Sequence, residues 1–253
     1  YNLAAQSSVS LSFEQPIGTL EFNIISVANT LEAIKVVNPK IKYYQASSSE
    51  MFGKVKKENL PVKEDFVFYP VSPYGISKAA AHWIVVNNRE AYNLFAVCGI
   101  LFNHESVLRG SSFVTKKIVN TAVKIKMGLL NKLELGNLKI YRDWGYTPKY
   151  VEAMWLMLQQ EFPKDYIICS GEAHSLEEFV QKVFEKLDLK SEEYVVLDKG
   201  LYRPVELEKI YGDNSEAKRM IGWNYDMSFD RLIETLLKDE IQYIDFESKL
   251  NLQ

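Results

Sequence analysis

A tyrosine and a lysine four residues apart, Tyr74 and Lys78 in SPYGISK, follow the tripeptide Ser48-Ser49-Glu50 in YYQASSSEMFG, with Glu50 24 residues before Tyr74. A free phenol has a pKa of about 10 and is a poor base at neutral pH, but a neighbouring ammonium favours the phenolate. Spacing of four puts Tyr74 and Lys78 on one face of a helix, so the two can share a ligand. Ser48 adds a hydroxyl able to hydrogen-bond a substrate oxygen while Tyr74 takes its proton. Glu50 adds a carboxylate that could remove a proton from carbon acidified by a new ketone and hand it to a departing hydroxyl. Together these types suit oxidation of a sugar alcohol followed by loss of water. With 15 tyrosines in the chain, a Tyr-x-x-x-Lys pair arises about once by chance. Its weight comes from the preceding Ser48 and Glu50. The bland alternatives are a plain helix start, a loop-capping serine and a surface ion pair for Glu50.

Such groups need elements to hold them. Leu20, Ile24, Val27, Leu31 and Ile34 recur at helical spacing through Val37, and Ile41 to Ala46 is a short apolar run that opens into the serine cluster. A second helix starts near Pro73 or Tyr74 and runs to about Ala91, followed by a strand from Phe95 to Phe102. Helix and strand alternate, the pattern of a parallel sheet covered by helices. Ligands in such folds bind beyond the carboxyl ends of strands, where Ser48-Ser49-Glu50 and Asn103-His104-Glu105 both fall. Further on, 114–127 and 148–160 read as helices, and 132–135 and 165–169 as strands. Ser175 with Glu178 forms a capping box, and Asp213-Asn214-Ser215 and Ser228-Phe229-Asp230 open two closing helices.

Composition narrows the function classes. The 253 residues are 47% apolar, enough for a large core in one or two domains. Thirty basic against 33 acidic residues give a net charge of -3, which offers no footprint for nucleic acid. The cluster Lys54-Val55-Lys56-Lys57 reads as solvated surface. Cys98 and Cys169 lie in apolar runs and read as buried free thiols, hence a reducing, cytoplasmic setting. No run approaches the ~20 apolar residues of a membrane span.

No Gly-x-x-Gly-x-x-Gly or Gly-x-Gly-x-x-Gly loop occurs, although a dinucleotide site would place one at its first strand-to-helix turn. The chain opens on YNLAAQS, which reads as a strand end. The expectation is that the first βαβ units, about 70–90 residues at roughly 30 each, are missing from this sequence.

Leu3-Ala4-Ala5-Gln6-Ser7, QASSSEMFG, FYPVSPYGISK, GILFNHES, LGNL, RDWG, YVEAMWLMLQQ and YRPVELEKIYGDNSEAKRMIGW together resemble the GDP-mannose 4,6-dehydratase family of extended short-chain dehydrogenase/reductases. The resemblance covers nearly the whole chain. It implies an α/β fold: a Rossmann-like doubly wound parallel sheet with a smaller mixed α/β domain for the substrate. Residues 1–105 would belong to the NADP-binding part with a return segment near 140–172, and 106–139 with 173–253 to the GDP-sugar part. The implied reaction is a hydro-lyase reaction on GDP-mannose: NADP takes a hydride from C4, water leaves from C5 and C6, and the hydride returns to C6. The implied catalytic groups are Ser48, in place of the family's usual threonine, with Glu50, Tyr74 and Lys78. Leu3, Ala4, Ala5, Tyr74, Lys78, His104 and Arg109 would meet NADP. Asn103, Lys116, Gly136, Asn137, Arg142, Arg203 and Glu206 would bind the GDP part; an arginine fork suits a pyrophosphate. A homodimer or homotetramer is implied as well.

Three places depart from the family pattern. Its Pro-Arg-Arg-Gly loop is Val107-Leu108-Arg109-Gly110 here, which bears on tetramer assembly, and Gly18-Thr19 and Tyr146 with Lys149 alter neighbouring loops. Alternatives on the same residues are a GDP-heptose substrate, a 4-reductase or epimerase for which Glu50 is superfluous, and a non-catalytic binder of NADP or nucleotide sugar.

Overall fold

The computed structural model describes residues 1–202 and 204–250, with side chains through residue 246. Helix α1 (Val9–Glu14) is followed by α2 (Pro16–Val37), strand β1 (Tyr43–Ser48), α3 (Pro73–Tyr92) and β2 (Ala96–Leu101). Then come β3 (Asn103–Glu105), α4 (Val114–Lys126), β4 (Leu133–Leu135), β5 (Tyr141–Arg142), β6 (Trp144–Tyr146), α5 (Thr147–Gln159) and β7 (Tyr166–Ile168). The chain continues through β8 (His174–Ser175), α6 (Leu176–Glu185), β9 (Val195–Leu197), α7 (Ser215–Ile221) and α8 (Phe229–Leu250).

The central sheet is parallel, in the order β1-β2-β7. All six residues of β1 and all six of β2 are buried, as strands covered on both faces must be. Tyr43, Ala96 and Cys98 pack under Val27, Leu31 and Ile34 of α2 and Ala81 and Val85 of α3. The alternate positions, Tyr44, Ala46 and Val97, meet Ala153, Met154 and Met157 of α5 and Ala217 of α7. Each aliphatic side chain so buried contributes about 1.5–3 kcal/mol. Gly99 is required here, because a Cβ would lie 2.1 Å from the Tyr44 hydroxyl. On the far edge of β1, Asn2 makes one parallel bridge to Gln45.

A second core lies between α4, α6 and α8, where Ile118, Ala122, Phe179, Val183, Leu232 and Ile233 are fully or almost fully buried around Leu133 and Trp144. Ser175 Oγ accepts from Glu178 N at 3.0 Å and caps α6 as expected. Among the described residues no helix is long and apolar enough to cross a membrane. Cys98 and Cys169 are free and buried, and Lys54, Lys56 and Lys57 are exposed.

Both motifs lie at strand ends as expected, with one local correction to the serine cluster: Ser47 and Ser48 extend β1 by pairing with Ile100 and Leu101, so the turn begins only at Ser49. Asn103-His104-Glu105, just after β2, forms β3, which pairs with Trp144–Tyr146 of β6. Neither pairing is visible locally, because the partner strand lies about 40–50 residues away and supplies the hydrogen bonds.

Candidate active site

The catalytic-type residues sit where β1 ends and α3 begins. Ser48 closes β1 and its Oγ accepts from Glu50 N at 3.2 Å, fixing the helical turn Ser49–Met51 that carries the carboxylate. Across from it, Ser72 caps α3 by accepting from Gly75 N at 3.0 Å, and Pro73 occupies the first turn where no N–H is needed. Gly75 lets the two segments touch: a Cβ there would lie 2.7 Å from the Glu50 carbonyl oxygen. Sequence reasoning had passed over this glycine, although a glycine in a helix's first turn was the available signal.

Tyr74 and Lys78 are both buried, and the Lys78 ammonium lies 5.8 Å from the Tyr74 ring centre. Lys78 Nζ donates to Ala46 O at 2.9 Å. Burial pushes the Tyr74 phenol up to about 12; a hydrogen bond with Ser48 and the charge of Arg109 pull it back, while Glu50 pushes it further. Burial takes Lys78 down to about 8. The expected phenolate therefore does not arise from the lysine alone. Desolvation disfavours the charged form of both groups.

Leu3, Ala4 and Ala5 follow the Asn2 bridge past the carboxyl edge of β1, with Leu3 57% exposed. This loop is tied to the catalytic helix by a residue not anticipated. Asn23 of α2 accepts from Gln6 N at 2.8 Å and donates to Ser77 Oγ at 2.9 Å. The His104 ring stacks on Tyr150 at 4.9 Å with Nδ1 2.8 Å from Phe102 O, and burial pulls its pKa down to about 4. The Arg109 guanidinium covers the Phe113 ring at 3.8 Å; its Nε is buried without a hydrogen bond, 3.5 Å from Glu105 Oε2.

The residues expected to take GDP are divided. Arg142 is buried and donates to Leu207 O at 2.7 Å and to Glu206 Oε1 at 2.8 Å, so these two binding candidates hold each other. Gly136 abuts Leu201, where an added Cβ would lie 3.1 Å from the carbonyl oxygen. Asn137 Oδ1 accepts from Lys139 N. Leu201 thus lies beside Gly136 after β4, and Glu206 and Leu207 beside Arg142 of β5. Asn103 offers its carbonyl to Tyr150 at 3.5 Å. Lys116 lies elsewhere, in a buried ion pair with Glu240 of α8 and bonded to Val107 O. Arg203 lies outside the described residues. Asp143, also unanticipated, is fully buried and accepts from Ser170 N, Ser170 Oγ and Gly171 N, with burial raising it to about 6.

Comparison with known proteins converges on one family. The model of GDP-mannose 4,6 dehydratase matches residues 1–236. GDP-mannose 4,6 dehydratase 2 of Arabidopsis thaliana is 46% identical over 99% of this chain and 67% of its own length. The human GDP-mannose 4,6 dehydratase is 44% identical over 96% of this chain and 70% of its own length. Among solved structures, RMD from Pseudomonas aeruginosa complexed with NADPH superposes with a TM-score of 0.87, at 24% identity over 95% of this chain and 80% of that one, a likeness of fold. A match of this extent, over a chain whose Ser-x-Glu turn meets the Tyr-x-x-x-Lys helix in an extended Rossmann-type sheet, makes this chain a member of the GDP-mannose 4,6-dehydratase family.

Proposed function

We propose that the protein is a hydro-lyase converting GDP-mannose to GDP-4-keto-6-deoxymannose with NADP as its resident cofactor. The observation that carries this reading is the meeting of Ser48 and Glu50 with Tyr74 and Lys78 across the Gly75 approach. Glu50 is the discriminating group, since a 4-reductase or epimerase has no use for it. Names of relatives at 39–46% identity support the same substrate.

Leu3, Ala4, Ala5, Tyr74, Lys78, His104 and Arg109 would hold the cofactor. The exposed Leu3 loop, and an Arg109 Nε that is buried beside Glu105 without a hydrogen bond, fit a large anionic ligand. NADP held there would supply the hydride acceptor for C4 oxidation and the hydride donor for C6 reduction. Ser48 hydrogen-bonds the C4 hydroxyl and Tyr74 takes its proton. Lys78, anchored on Ala46 O, holds the cofactor ribose. Glu50 takes the C5 proton and passes it to the departing C6 hydroxyl, which leaves as water; hydride return to C6 is matched by a proton delivered to C5, equal to the one Tyr74 took from the C4 hydroxyl. At the far end, Gly136, Asn137 and the Arg142–Glu206 pair receive the GDP part, with Asn103 and Arg203. Lys116 serves by tying α4 to α8.

In this reading residues 1–105 and 140–172 form the cofactor unit, and 106–139 with 173–253 the GDP-sugar unit. The molecule pairs with a second copy through the outer faces of α2 and α3, where Phe22, Ile25, Ile76 and Trp83 are 46–59% exposed. Apolar side chains so grouped mark an interaction surface. A cytoplasmic location accords with two free, buried cysteines.

Incubating the whole protein with GDP-mannose and NADP should yield a 4-keto-6-deoxy sugar nucleotide without net NADPH. Steady release of NADPH would contradict the reading, and faster turnover of a GDP-heptose would move the substrate assignment.

A further inference from the structure

The buried His82 and Cys98 and the partly buried Asp165 bring their donor atoms within 4.8 Å of one another. A cation there would have to displace existing partners. Asp165 accepts from Arg89 through both oxygens, at 2.7 and 2.9 Å, and from Cys98 N at 2.6 Å. Burial keeps the Cys98 thiol protonated. His82 has a different task.

We propose that His82 is a positioning residue for Tyr74 and Lys78, a role that rests on those two being the catalytic pair. Residues 74, 78 and 82 lie on one face of α3, one turn apart. Each reaches the last three residues of β1: Tyr74 through Ser48, Lys78 through Ala46 O at 2.9 Å, and His82 Nδ1 through Ser47 Oγ at 3.2 Å. His82 is the rung outside the reaction site. Its ring is held edge-on by Phe68 at 5.2 Å, and its Nε2 lies 3.9 Å from Asp165 Oδ2. Two turns further down, Arg89 fastens α3 to Ala96 O and to the same Asp165. The lower half of α3 is therefore pinned to the sheet by polar contacts that fix both its slide and its rotation. Above His82, Lys78 and Tyr74 inherit that register.

Chemistry makes the register matter. Ser47 Oγ is buried and meets both the Cys98 thiol and His82 Nδ1, of which His82 is the partner on α3. Without His82, α3 keeps its Arg89 and Lys78 anchors but loses the contact to β1 that lies one turn from Lys78, which loosens the catalytic-type turn. A displacement of about 1 Å at reacting groups costs up to about 100-fold in rate, with little effect on groups that only bind.

The test uses His82→Ala, His82→Asn, Ser47→Ala and the double variant His82→Ala/Ser47→Ala in the whole protein. His82→Ala should lower kcat about 10-fold with KM for GDP-mannose changed less than about twofold. His82→Asn, which keeps a polar nitrogen or oxygen toward Ser47, should recover most of that loss. Ser47→Ala should show a similar loss, and the double variant no further one, as expected for one shared contact. Hydrogen exchange at the amides of residues 74–78 should be faster in His82→Ala and near wild type in His82→Asn. An unchanged kcat in His82→Ala, or an asparagine variant no better than alanine, overturns the proposal. If the wild-type protein fails to turn over GDP-mannose, the functional reading falls separately. Exchange then decides the positioning role alone, and unchanged exchange in His82→Ala overturns it.

Discussion

In the proposed reaction Tyr74 is a base held in its acid form. Burial sets its phenol at about 12, so its unprotonated fraction grows with pH throughout the neutral range, and kcat/KM should rise with pH as that proton is lost. Adding NADP brings a positive nicotinamide charge and should lower the Tyr74 titration, read as phenolate absorbance of wild type minus Tyr74→Phe; NADPH should not. Lys78 gives a stability prediction. Its folded value of about 8 lies below the ordinary 10.5, so between those values the unfolded chain binds the extra proton and stability rises with pH. Below about 8 the whole cost is present, and Lys78→Met should stabilise the fold at pH 7 by about 1–3 kcal/mol while removing activity. Calorimetry should show that gain shrinking as pH rises from 8 to 10.5. The four catalytic types were legible in the sequence because they are local: a short turn and one helix face carry them. Their protonation was not legible, because burial decides it. The mutual pairing of Arg142 with Glu206, 64 residues apart, and of Lys116 with Glu240, 124 apart, is likewise set by the tertiary fold.

Helix α3 and strand β1 must approach closely, and Gly75 sets that distance. Gly75→Ala would push a methyl against the Glu50 carbonyl, where an added Cβ lies at 2.7 Å. Backbone must move to relieve it, at about 1–3 kcal/mol. Activity should fall more than the melting temperature suggests, because the shift separates Glu50 from Tyr74. Asp143 governs another junction, joining the link between β5 and β6 to the Ser170-Gly171 turn after β7. Asp143→Ala leaves those buried donors unsatisfied and should cost about 3 kcal/mol in denaturant unfolding. The long periodic helices were readable from spacing and caps, as Ser175 with Glu178 illustrates. Short strands such as β3 and β6 were not, since three residues have no period and take their structure from each other.

At the scale of the molecule, a parallel sheet with a helical second core places the catalytic groups at one strand end and the Arg142–Glu206 pair at β5. The alternation of elements made the sheet legible, while the meeting of Gly136 with Leu201 and of Arg142 with Glu206 and Leu207 was not, because the crossing of separate segments creates it. Phe22→Glu combined with Trp83→Glu should convert a dimer to a monomer in size-exclusion chromatography with light scattering; an unchanged mass would remove α2 and α3 from the interface. The central claim is that oxidation, elimination and reduction share one site, with the C4 hydride kept throughout. Mass spectrometry and NMR of product made from GDP-mannose deuterated at C4 test it most directly. The account predicts one deuterium at C6 of each 4-keto-6-deoxy product, transferred within the same sugar; product with C6 hydrogen drawn from solvent, or deuterium exchanged between sugars, would contradict it.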